Sequence, residues 1–311
     1  MESKIVDNRL FQYAKKETTP FRLFIQKFKH DWSLVFAGML AFNILIAILP
    51  MAITLFGILG LVLSNRPDMQ NRIRNHVIHA FPPRANDGLR ELINMAFKQL
   101  HKDAGIILFF GIFFAILGSS RLFISIDRCL TIIYRVEERK FARKYLLAIA
   151  MVLLFLIFIP IMVSASSTPS ILLNLIPSAG RRFFTYVAGL LLSLLFTFLL
   201  FEIIYMIIPN KKMSFKKTWC GSLVAAGSLE LFMILFPLYV KKCMASYTGQ
   251  IGFAIILLLF FFYAATILIL GAQINAFFFE RIRPLPVPLG SFVSTLAHEY
   301  QDKESREPLN V

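Results

Sequence analysis

Long apolar runs separated by short polar connections occupy most of the chain. Six of them, near residues 34–63, 104–126, 145–166, 183–208, 218–240 and 251–280, are long enough to cross roughly 30 Å of hydrocarbon, which takes about 20 helical residues. The runs are continuous, not alternating, and an open sheet cannot satisfy its backbone in lipid, so strands are excluded. The pattern predicts an all-α polytopic membrane protein, a bundle of six transmembrane helices. The first and last runs approach 30 residues, which calls for tilt, a kink or protrusion from the bilayer.

Two flanking segments carry helical periodicity of another kind. In PFRLFIQKFKHDW, Phe21, Phe24, Ile25 and Phe28 fall at i, i+3, i+4 and i+7, with Arg22, Lys27 and Lys29 off that stripe. This predicts an amphipathic helix lying on the membrane surface. In DGLRELINMAFKQLHK, Leu89, Leu92, Ile93, Ala96, Phe97 and Leu100 share one face, and Asn86 or Asp87 is placed to cap its start. Pro82-Pro83 separates that piece from an earlier helical stretch around 68–79, so the 64–103 connection is predicted to be a small helical cap. After the last span the chain reads RPLPVPLG and then turns polar, which predicts a flexible tail. The organisation is thus an N-terminal segment with its interfacial helix (1–33), a six-helix domain (34–283) and a tail (284–311).

Composition agrees with lipid as solvent: 57% of residues are apolar and 33 are phenylalanine, against about 45–50% apolar in soluble proteins. Net charge is +15, from 33 Lys and Arg against 18 Asp and Glu. In a soluble chain that excess points to nucleic acid. Here the basic residues sit between apolar runs, where they act as orientation signals and attract anionic headgroups, so membrane lipids are the expected partners and nucleic acid is not. Of the 33 basic residues, 21 fall on the side of the N-terminus, the 127–144 and 209–217 connections and the tail, 11 on the other, and Arg121 within a span. Both termini are therefore expected in the cytoplasm. Cys129, Cys220 and Cys243 have neither metal-ligand nor disulfide spacing and are read as packing residues. The opening MESKIVDNRLFQYAKKETTP has no apolar core, so no cleaved signal peptide is expected.

Polar residues inside spans are expensive and each needs a reason. At 1.5 Å per residue, Arg121 lies about 25 Å and Glu202 about 28 Å below the outer edge of their spans. Gln273 and Asn275 fall in the same inner half, and Glu230 about 18 Å in from the cytoplasm, near the midplane. Arg121, Arg128, Arg135 and Arg139 repeat at close to whole helical turns, forming one predicted arginine stripe. Guanidinium groups bind phosphate bidentately and stay charged in low dielectric, which suits an anionic headgroup. The plainer account has the arginines snorkelling to the interface, Glu202 and Glu230 paired or protonated, and Gln273 and Asn275 bridging helices. Pro50 and Pro237 each free a helical carbonyl and are candidate hinges, or simple kinks.

In order and spacing the chain resembles the YihY/BrkB membrane proteins, once labelled ribonuclease BN. The resemblance rests on AGMLAFNILIAILPMAITLFG with its Ala-Phe pair and Pro50, on RLFISIDRCLTIIYR, on YMIIPNKK, and on SYTGQIGFAIILLLFFFYAATILILGAQINAFF with Tyr247, Gly249 and Gly252. It covers about Trp32 to Arg283; Asn43 and Phe262 stand where relatives frequently show tyrosine and tryptophan. It implies a six-helix protein of the bacterial inner membrane.

The old label invites a test for nuclease chemistry, which needs metal-binding carboxylates or a histidine acid–base pair. Among His30, His76, His79, His101 and His298, only His76 and His79 are neighbours, and the orientation puts them away from RNA, with Asp87 and Glu91 in the same loop. No phosphate-binding glycine loop, HExxH or serine-hydrolase elbow is present, and Ser119 and Ser120 have no histidine nearby in sequence. A non-enzyme without metal or cofactor is expected. The leading functional expectation is transport or flipping of an anionic amphiphile through a polar cavity in the cytoplasmic half. Arg121 and Arg128 would hold the headgroup, Glu230 would gate or carry a proton, and Glu202, Gln273 and Asn275 would complete the lining. The alternative is a scaffold or envelope-integrity factor without substrate, and a ribonuclease comes last. Substrate and oligomeric state stay open.

Overall fold

The computed structural model describes residues 20–63, 86–166, 181–243 and 249–306, and among them every regular element is a helix. α1 covers residues 20–30, α2 Ser33–Leu63, α3 Asn86–Tyr134 and α4 Phe141–Ser166. α5 covers Arg181–Ile207, α6 Phe215–Cys243 and α7 Gly249–Ile274, prolonged by a π-helical turn over Asn275–Phe279. α8 covers Leu289–Arg306. Each of α2 to α7 contains a stretch long and apolar enough to cross a membrane, from Ser33–Met51 in α2 to Ala254–Phe279 at the end of α7. The six predicted spans are these six helices.

α2 lies along α3 and against α7, α7 packs on α6, α6 on α5, and α4 covers the other side of α3 and touches α5. The order around the bundle is α4, α3, α2, α7, α6, α5. Phe42, Leu49, Phe110, Phe114, Leu146, Ile157, Leu191 and Leu238 point outward, an apolar belt too extensive for water and suited to lipid. Inside, Leu130, Ile133, Met151, Val152, Tyr205, Ile208 and Ile269 are buried in one continuous core. Where α6 crosses α7, Gly221 and Gly271 bring the two backbones together. A Cβ on Gly221 would collide with the Gly271 carbonyl and the Asn275 side chain, and one on Gly271 with the Tyr205 hydroxyl. Small residues permit such close approach in lipid, where packing replaces the hydrophobic drive.

The described connections gather at the end of the bundle that carries α1 and α8, here called the base. Three helices end there on residues with positive φ, Trp32 (57°), Arg135 (51°) and Arg281 (56°). A left-handed residue costs roughly 1–2 kcal/mol but closes a helix by turning amides back onto its last carbonyls. At Arg135 this is seen directly: the Arg135 amide donates to Ile132 O at 3.3 Å and the Val136 amide to Thr131 O at 3.1 Å.

Three expectations need correction. The cap piece expected to start at Asn86 or Asp87 and the second span are one 49-residue helix, α3, which also runs eight residues beyond the expected end at 126. No proline interrupts HKDAGIILFF, so nothing breaks the helix between cap and span. The stretch 68–79 and Pro82-Pro83 lie outside the described residues. The tail expected to be flexible contains the 18-residue α8. It starts just after Pro288, where Leu289 joins the core and Gly290 lies flat against the Trp32 ring. Finally, Arg139 leaves the predicted stripe, because the helix stops at Tyr134 and its periodicity no longer applies.

Candidate functional site

α1 docks onto the base through charges as well as rings. Phe24 packs on Phe277 and Phe278, with ring centroids 5.8 and 5.9 Å away. Lys27 is 0% and Asp31 1% exposed, and their side chains meet at 2.6 Å. Lys27 Nζ also donates to Gln273 Oε1 at 2.5 Å and to Ile133 O at 3.4 Å. Gln273 Nε2 donates to Asp31 Oδ2 at 3.2 Å and to Ser33 Oγ at 3.0 Å, and Arg135 reaches Asp31 Oδ1 at 3.1 Å from the rim. Asp31 and Gln273 together thus tie α1, α2, α7 and the end of α3 into one buried network. Burial pushes the Lys27 ammonium below its ordinary value, while Asp31 works the other way. The periodic reading placed Lys27 on the polar face of α1. It is instead among the most buried side chains, and the Lys–Asp spacing of four was the sequence signal that it had a partner.

A second polar group lies among α3, α5, α6 and α7. Glu202 is buried and accepts hydrogen bonds from Thr218 Oγ1 and from Ser222 Oγ, the latter at 2.5 Å. Asn275 Oδ1 accepts the Gly221 amide at 2.8 Å, and Tyr205 donates to Leu268 O at 2.7 Å. Tyr134 approaches Asn275, yet neither its hydroxyl nor Asn275 Nδ2 reaches a hydrogen-bond geometry with any described residue.

The third group closes the rim. Asp127, on the inward face of α3, pairs with Arg139 at 2.9 Å. The same guanidinium caps α5, donating to the carbonyls of Ile207 (3.2 Å), Ile208 and Pro209 (2.9 Å). Lys144 pairs with Glu138 at 2.8 Å and holds its carboxyl below the usual range. Glu280 meets Lys211, and Lys217 at 2.9 Å. Burial pushes its pKa up, but the two lysines prevail and hold it below the usual value. Arg139, Asn210, Lys211 and Lys212 border an open, basic cleft of about 340 Å³ beside Pro209.

Of the six candidate lining residues, Glu202, Gln273 and Asn275 are buried near the base, each engaged by neighbouring helices. Glu230 is half-buried on α6 and accepts from Ser193 of α5. Arg121 and Arg128 are exposed on the outside of α3. They continue the outward stripe of Phe110, Phe114 and Leu117, since these positions repeat at near whole turns. The structure therefore separates the arginines from the interior carboxylate and amides. Pro50 and Pro237 both sit inside continuous helices, and Pro50 packs on Gly118 of α3.

His30 Nδ1 lies 2.7 Å from Leu285 O, helping seat the segment before α8. His76 and His79 fall outside the described residues, and the side chains of Asp87 and Glu91 are likewise not described. Among the described residues no group of three or more His, Cys, Asp or Glu is arranged for a metal ion.

The sequence model of the virulence factor BrkB family matches residues 24–289. A UPF0761 membrane protein of Vibrio atlanticus is 30% identical over 268 residues, covering 84% of this chain and 82% of its own. One from Photobacterium profundum is 27% identical over 287 residues, covering 90% and 87%. One from Aeromonas salmonicida is 26% identical over 265 residues, covering 83% and 88%. No solved structure matches the chain significantly.

Proposed function

The chain belongs to the BrkB family of membrane proteins, and on that premise we propose that it moves or flips an anionic amphiphile whose headgroup is held by Arg121 and Arg128. One observation supports this above the rest: α3 presents an outward stripe that is apolar from Phe110 to Leu117 and cationic at Arg121 and Arg128. At 1.5 Å per residue the apolar and cationic parts are each about 10 Å long, a surface shaped for acyl chains above and headgroup phosphate below. In this reading both termini lie in the cytoplasm of a bacterial inner membrane, an orientation that the dense Lys and Arg at the base supports. Headgroup passage would follow the outer surface of α3, with Pro50 and Pro237 allowing α2 and α6 to bend and Glu230 serving as the carboxylate that changes partner near the midplane.

A scaffold role is the second reading. It is favoured by the internal pairing of Glu202, Gln273 and Asn275, which leaves these residues structural. Reconstitution in vesicles of phosphatidylglycerol and phosphatidylethanolamine, each in turn carrying a fluorescent tracer, separates the two. Protein-dependent loss of dithionite-protected signal for the anionic tracer, reduced severalfold by Arg121→Ala with Arg128→Ala, is expected. No protein-dependent movement of either tracer would leave the scaffold reading standing.

A further inference from the structure

The inward face of α3 is polar in a way the outward arginines do not explain. Ser120, Asp127, Thr131 and Tyr134 repeat at near whole turns and all are buried. Each carries an oxygen with no hydrogen-bond partner among the described residues: Ser120 Oγ, Asp127 Oδ2, Thr131 Oγ1 and the Tyr134 hydroxyl. Asn275 Nδ2, beside Tyr134, is a fifth buried orphan, this time a donor. Lys144 Nζ stands 3.9 Å from Asp127 Oδ2, too far for a direct hydrogen bond, with the two side chains 7% and 2% exposed. Buried polar groups are nearly always satisfied by protein or by ordered water, and a polar gap beyond 3.5 Å between charged groups is where a bridging water belongs. Acceptors, hydroxyls and a donor are all represented, so water can be held by several partners at once.

We propose that the space between Tyr134 and Asp127 is a water-filled inlet from the base into the bundle, closed above by Phe123 and Ile124. Asp127, Thr131 and Tyr134 span about 10 Å along the helix, the length of a file of several waters. Phe123 and Ile124 are buried on the same face, and Phe123 is braced edge-on against Phe155 of α4 at 5.1 Å. An apolar constriction of this kind excludes water. Ser119 and Ser120, whose hydroxyls are also orphaned, lie beyond it. The ligand is water, and with it protons, delivered to the Asp127–Lys144 pair. The inlet does not depend on the arginine surface.

X-ray radiolytic footprinting of the full chain in nanodiscs tests this, because hydroxyl radicals made from bound water mark only side chains beside it. After correction for intrinsic reactivity, Tyr134 should be modified at least about fivefold faster than Phe261, a buried ring on α7. Thr131→Val should lower the Tyr134 rate at least about twofold, and Phe123→Ala should bring modification to Phe155. Equal rates for Tyr134 and Phe261 in the unmutated protein overturn the inlet. A Tyr134 rate unmoved by Thr131→Val removes the water from this face, and a Phe155 rate unmoved by Phe123→Ala overturns the closure.

Discussion

The two faces of α3 treat their polar side chains in opposite ways. Outward, Arg121 and Arg128 stand exposed. Inward and at the base, Asp31, Lys27, Asp127 and Glu202 are buried among partners contributed by other helices. A charge with a protein partner a few ångströms away contributes to the fold, and its removal strands the partner. A charge at the lipid boundary contributes little to folding and is available to a ligand. Position relative to the bundle, more than residue type or depth, separates structural charges from candidate binding charges.

Stability measurements on the protein in nanodiscs can break that division, and the largest effect should come from the most buried pair. Asp31→Ala should destabilise by about 3–5 kcal/mol, because it leaves the Lys27 ammonium buried without its carboxylate. Combining Lys27→Met with Asp31→Leu should recover a large part of the loss in equilibrium unfolding. No recovery would mean that the pair is not what anchors α1. Next in size is the helix crossing: Gly271→Ala should cost about 1–3 kcal/mol by forcing α6 and α7 apart. Gly189→Ala, whose added methyl meets open space, should leave the unfolding curve unchanged within about 0.5 kcal/mol.

The rim gives a smaller, pH-dependent effect. Glu280 is held below the usual carboxylate value in the folded protein by Lys211 and Lys217. Between that lowered value and the usual one near about 4.3, the unfolded chain binds the extra proton, so stability rises with pH. The contribution is complete above the unfolded value and is lost as pH falls through the folded one. Thermal midpoints taken from pH 6 downward should fall less steeply for Glu280→Gln than for the parent; parallel curves would show that the lysines do not hold this carboxylate. Smallest of all, Arg121→Ala and Arg128→Ala should each change stability by no more than about 0.5 kcal/mol.

Much of the fold was legible in the sequence because lipid imposes a rule that can be read locally: a crossing helix needs a continuous apolar run. All six spans are recovered on that ground. What was not legible depended on residues distant in the chain. Lys27 reads as a surface lysine until Gln273, 246 positions away, is beside it. Arg139 extends a stripe on paper, but the left-handed turn at Arg135 sends it into the carbonyls that end α5. The same limit applies to the candidate site. Its residues were named by type and depth, and both are blind to rotation about the helix axis relative to neighbours. That rotation puts Arg121 outside and Glu202 inside.

Native mass spectrometry of the protein released from mixed phosphatidylglycerol and phosphatidylethanolamine nanodiscs tests the central division most directly. The parent should retain phosphatidylglycerol in preference to phosphatidylethanolamine, and the Arg121→Ala, Arg128→Ala double variant should lose most of that preference while its unfolding midpoint stays put. Equal retention of anionic lipid by parent and variant would contradict the account.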